Sequence, residues 1–98
     1  MKENEVICMS EIKEKEIVYK AEKALRDAMV YASQITTEIK TKNITNILNA
    51  NTFLAKFHAY MDILREIDFD EYINIGKKTR SDRDYILLAI ERAYDLTI

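Results

Sequence analysis

Proline is absent from this sequence, glycine occurs once, at Gly76, and cysteine once, at Cys8. Without the two residues that build most tight turns, hairpins and phosphate-cradling loops, the chain is expected to be helical. A single cysteine excludes an intramolecular disulfide and any cysteine-based zinc cage, so Cys8 reads as a small hydrophobe. No apolar run approaches the ~18–20 residues of a spanning helix. The opening Met1-Lys2-Glu3-Asn4-Glu5 has no basic stretch leading into a long apolar one, so a cytoplasmic protein with no membrane partner is expected. Neither sign of charge dominates: 15 Lys and Arg face 17 Asp and Glu, a net charge of −2.

What is present fits one globular unit. Ninety-eight residues with 48% hydrophobic and 33% charged side chains suffice for one core and do not resemble a disordered tail. We read residues 1–98 as a single helical domain, with 1–9 of uncertain structure. Val6-Ile7-Cys8-Met9 in that segment could extend the first helix, cover a bundle end or join an interface. No internal repeat or linker is visible.

Apolar residues at helical spacing (Ile17, Ala21, Ala24, Leu25, Ala28, Ala32, Ile35, Ile39) predict a helix over about 11–40. Ser10 is placed to cap it, Glu11, Glu14 and Glu16 load its first turns with negative charge, and Lys40 and Lys42 sit at its far end. Its alanines let another helix approach closely, as a bundle core or a dimer seam. A second helix is expected over 44–67, where Ile47, Phe53, Leu54, Phe57, Tyr60, Met61, Leu64 and Ile67 cover an arc of about 160°. Its polar positions are largely amides and hydroxyls, as on a partly buried face or one that meets a partner.

Asp68 and Glu71 have capping-box spacing, which predicts a short helix over 69–75 with Gly76 as its C′ residue. A last helix is expected from Ser81 or Asp82, with apolar residues over more than half its circumference. The fold class is therefore all-α, a small bundle of three long helices and one short one. Its wide apolar arcs exceed what a monomer of this size covers, so a homo-oligomer is expected, with Tyr85, Leu87, Ile90 and Tyr94 as candidate interface residues.

Residues that could carry chemistry are few. His58, the only histidine, reads as an edge imidazole hydrogen-bonded to Asn51 or Asp62, because a di-iron bundle requires a Glu-x-x-His unit on each of two helices. No Gly-x-Ser-x-Gly turn is present and Cys8 has no evident base, so neither an enzyme nor a cofactor is expected. Charge is nevertheless unevenly placed. Glu66, Asp68, Asp70 and Glu71 give residues 66–72 a net −4, and Lys77, Lys78, Arg80 and Arg83 against Asp82 give residues 73–83 a net +3.

Each patch suggests a partner. Lys77, Lys78, Arg80 and Arg83, with two hydroxyls and a helix start, have the chemistry of an anion, nucleotide or nucleic-acid backbone site, unless they are solvated or paired with the acidic stretch. Carboxylates interleaved with Phe69 and Tyr72 could dock on a basic surface of a larger protein, the rings as anchors and the acids giving register. The function expected is that of a small non-enzymatic regulator or inhibitor, of the sort phages and mobile elements encode, acting by protein–protein interaction through 66–83. A nucleotide- or nucleic-acid-binding module and a purely structural homo-oligomer are the alternatives.

Overall fold

In the computed structural model, four helices follow one another as α1 (Lys2–Ser33), α2 (Lys40–Ile67), α3 (Phe69–Lys78) and α4 (Arg80–Thr97). The structure describes the backbone of residues 2–35 and 40–97, and the side chains of residues 13–35 and 43–94; among these, no strand occurs. The all-α bundle expected from periodicity is what forms. Cys8, the Val6–Met9 tetrad and Ile39 lie outside the described side chains.

α1 and α2 form an antiparallel hairpin. Ala21, Ala24, Leu25, Ala28 and Ala32 on one side and Ile47, Ala50, Leu54, Phe57, Met61 and Leu64 on the other are all buried. These residues recur three and four apart, the spacing that keeps one stripe of a helix facing its neighbour. Alanine on α1 opposite bulky residues on α2 lets the two axes approach while the larger side chains fill the seam. Towards the closed end Phe53 stacks on Tyr31 with ring centroids 5.7 Å apart and planes 6° from parallel, and Lys56 Nζ sits 5.0 Å from the Phe53 ring centroid.

α1 stops at Ser33, seven residues before the end expected from its apolar spacing, and the cause is local. Ser33 Oγ donates to the Val30 carbonyl at 2.7 Å, and Gln34 and Ile35 donate back only three residues, to Tyr31 and Ala32. Side-chain bonding to the backbone and three-residue bonds both compete with the α-ladder. Asn46, nine-tenths buried, then donates from Nδ2 to the Gln34 carbonyl at 3.1 Å, tying the end of α1 to α2. Lys40 consequently opens α2 instead of closing α1, and Ser10 is an interior residue of α1.

The α2–α3 corner consists of Asp68 alone, in an extended conformation with φ −156° and ψ 91°. Its N–H donates to the Leu64 carbonyl at 2.8 Å, closing α2, and its own carbonyl receives Tyr72 N–H at 3.0 Å, opening α3. Asp68 Oδ1 accepts from Glu71 N–H at 3.1 Å, the cap that the sequence spacing anticipated.

α3 runs to Lys78, so Gly76 is helical and not a C′ residue, and it does not take up a positive φ. The break comes at Thr79, whose buried hydroxyl donates to the Ile75 carbonyl at 2.7 Å. Backbone bonds nevertheless continue through the junction, Thr79 N–H to Ile75 and Arg83 N–H to Thr79. α3 and α4 are thus one helix bent at a threonine, the usual effect of such back-bonding. α4 accordingly begins at Arg80, ahead of the expected Ser81 or Asp82. Asp68 bonds to Glu14 and Lys78 Nζ lies 3.3 Å from Glu22 Oε2, so the bent helix runs parallel to α1. It adds Ile75, Ile86, Ile90 and Ala93 to the core.

The resulting body is long and thin, 60 × 20 × 15 Å, with a radius of gyration of 16.6 Å against about 13 Å for a compact chain of this length. Its accessible surface is 7134 Å², where a compact monomer of the same mass would leave roughly 5,800 Å².

Candidate functional site

The bend at Thr79 turns α3 against α2, and a groove of about 320 Å³ opens between them, lined by His58, Met61, Tyr72, Ile73, Gly76, Lys77, Arg80 and Arg83. Three of the four cations singled out in the sequence line this one groove. The fourth, Lys78, is directed to the other side, where it pairs with Glu22 of α1. Among the described ion pairs, the acidic stretch 66–72 supplies no partner for these cations.

Arg83 is the best-fixed of the three. Its Nη2 donates to the Gly76 carbonyl at 2.6 Å, capping the last turn of α3 with a cation where the helix dipole favours one. Its Nε is buried and has no hydrogen-bond partner. Lys77 and Arg80 are exposed at the rim. Met61 and Ile73 give the groove an apolar floor, and no carboxylate lines it. A recess whose polar groups are cations, an imidazole and a phenol suits an anionic ligand with an apolar part.

His58 was not expected here. It forms no hydrogen bond to Asn51 or Asp62 among the described contacts and instead lies edge-on to the Phe57 ring, with centroids 5.4 Å apart. The sequence had placed it at the margin of the apolar arc; that the opposing wall is basic follows from the fold-back of α3, which no spacing encodes. Tyr72 likewise moves from the acidic motif to the basic groove, partly buried against the core.

The rest of the acidic motif divides. Asp68 is used as the α3 cap, and its carboxyl is held below its ordinary value of 3.8 by a side-chain hydrogen bond with Glu14, helped by the bond from Glu71 N–H. Glu71 faces α1, lining a second groove of about 420 Å³ with Glu14, Lys15, Val18, Tyr19 and Glu22. Glu66 and Asp70 remain exposed. Between them, Ile67 is 53% and Phe69 57% exposed, and Phe69 stacks on Tyr72 at 5.9 Å. α3 therefore separates a basic groove on the α2 side from a largely acidic one on the α1 side.

Of the four interface candidates on α4, Tyr85, Leu87 and Tyr94 are exposed, but Ile90 is buried within the single chain. Ile90 shares the inward face with Ile86 and Ala93, so it is core rather than surface. A wider apolar surface lies on α2, where Ile44, Thr45, Leu48, Thr52, Ala55, Ala59 and Ile63 are all exposed and only Lys56 and Asp62 bring charge to that side between 44 and 63.

Among the described residues, no three His, Cys, Asp or Glu side chains converge on a metal-sized position, and no helix is long and apolar enough to cross a membrane. No protein-family model matches the chain, no curated protein is significantly similar to it in sequence, and no solved structure is significantly similar to it in fold.

Proposed function

We propose that this chain is a small regulatory or inhibitory protein that acts by docking on another protein, without catalysis of its own. The observation that supports this reading is the corner where α2 meets α3. Ile67 and Phe69 are each more than half exposed there, Phe69 is held in place by its stack on Tyr72, and Glu66 and Asp70 flank them. An aromatic anchor that is ordered before binding, with carboxylates at its rim, suits a partner bearing an apolar pocket in a basic surround. The test is affinity capture from cell extract with the wild-type chain, with Phe69→Ala, and with Glu66→Lys/Asp70→Lys. Both variants should lose whatever protein the wild type retains; a partner held equally by all three would overturn this reading.

A second reading, a homo-oligomer, is favoured by the sparsely charged outer face of α2 and by an accessible surface well above that of a compact monomer. The excess, on the order of 1,300 Å², is comparable with what each chain buries in a substantial dimer. Light-scattering mass over a dilution series decides it. The oligomer predicts a multiple of 11.5 kDa that falls to the monomer in Leu48→Glu/Ile63→Glu, and a wild-type monomer at every concentration excludes it.

A further inference from the structure

We infer that the groove between α2 and the α3–α4 bend binds a small nucleotide, with its phosphate at Lys77, Arg80 and Arg83 and its base over Met61 and Ile73 beside Tyr72 and His58. The inference does not rest on the protein-docking corner at the start of α3, which the groove meets only at Tyr72, the ring on which Phe69 stacks.

Four observations carry it. The groove concentrates three permanent cations and an imidazole without a lining carboxylate, in a chain whose net charge is −2. Such local excess positive charge is costly to hold together unless solvent or an anion compensates it. Arg83 is positioned in advance by its bond to the Gly76 carbonyl, so less conformational freedom is lost on binding. Its guanidinium also has donors beyond the Nη2 that meets Gly76, and a phosphate is the acceptor that matches a guanidinium fork. Finally, the recess joins that basic rim to a thioether, an isoleucine and a half-buried tyrosine, a surface for a flat aromatic group.

Size and charge select a single nucleotide over a polymer. About 320 Å³ lies at the small end of the range for small-molecule pockets. A polynucleotide would require cations along a whole face; here exposed Glu66 and Asp70 stand beyond one end of α3, and the groove on its other side is lined by Glu14, Glu22 and Glu71.

Titration calorimetry of the intact chain with ADP and GDP tests the assignment, with adenosine and inorganic phosphate as part-ligands and a single-stranded oligonucleotide as the polymer. A saturable one-to-one heat is expected with a nucleotide, weakening as salt is raised and weaker for either part-ligand. Lys77→Ala/Arg80→Ala removes two exposed cations, so it should melt with the wild type while binding ~10-fold or more weakly. His58→Ala should weaken binding to a smaller extent. Absence of saturation by any probe, undiminished binding by the double variant, or equal affinity for inorganic phosphate and nucleotide each overturns the inference. Tighter binding of the oligonucleotide than of the mononucleotides does so as well, in favour of a nucleic-acid surface.

Discussion

Arg83 reaches back seven residues to the Gly76 carbonyl, a 2.6 Å hydrogen bond that spans the bend at Thr79 and makes one side chain both a brace of the fold and a wall of the basic groove. Arg83→Leu keeps much of the apolar stem and deletes this charge-assisted, part-buried bond. A loss of about 1.5–3 kcal/mol in urea unfolding is expected, which for a domain of this size lowers Tm by several degrees. Unaltered stability would mean that the threonine alone sets the bend.

Gly76 offers a prediction of opposite sign. It lies inside α3 without a positive φ, and a Cβ added there would meet nothing within 4 Å. Gly76→Ala should therefore stabilise the chain by about 0.5–1 kcal/mol, by reducing the freedom of the unfolded state. A C′ glycine at the same position would have destabilised on replacement, so the sign of the change in the denaturation midpoint separates the two geometries.

The alanine seam should be intolerant of added volume. Ala28 and Ala50 are fully buried, and enlarging either to leucine forces the two long helices apart, at a cost of about 1–3 kcal/mol. Ala55→Leu, on the exposed outer face of α2, should leave the unfolding curve where it is. The contrast in midpoint between the buried and the exposed leucine is the measurement.

Acid should loosen the α2–α3 corner. A hydrogen bond from the Glu14 carboxyl in its protonated form, and then bonds from backbone N–H groups, hold the Asp68 carboxyl below its ordinary 3.8, so the folded state favours the ionised form. The part of the stabilisation that comes from the backbone N–H groups is fully present above that ordinary value and disappears as pH falls through the lower native one. Asp68→Asn preserves a capping acceptor but not the charge. Melts from pH 2 to 7 should show a gap between wild type and variant that closes towards the acid end; a gap independent of pH throughout would assign the effect to something other than ionisation.

The helices were legible because Ile47, Ala50, Leu54, Phe57, Met61 and Leu64 repeat with a period only a helix satisfies. Where the helices end was less so, because single hydrogen bonds decide it: Ser33 Oγ to Val30, Asn46 to the Gln34 carbonyl, and Thr79 Oγ1 to Ile75. Hydropathy does not register such bonds, and the apolar Ile35 and Ile39 suggested that α1 continued. Asp68 was correctly read as a cap because its signal is local in sequence. In the basic groove, Lys77, Arg80 and Arg83 were legible as a charge run, whereas His58 and Tyr72 join them only through tertiary folding. On α4 the apolar arc was too wide to say which part faces inward, and Ile90 rather than Leu87 turned in because it shares a stripe with Ile86 and Ala93.

A body 60 Å long and 15–20 Å across has an interior that is essentially a line. Each buried side chain touches neighbours a turn or two away and little beyond them, so stability accrues segment by segment, as it does in stacked-repeat proteins. Amide exchange should accordingly report a gradient along the long axis, slowest around Phe57 and Leu64 and faster outward, in place of one global opening. A macromolecule clasping either end would then propagate order inward, stiffening amides it never touches.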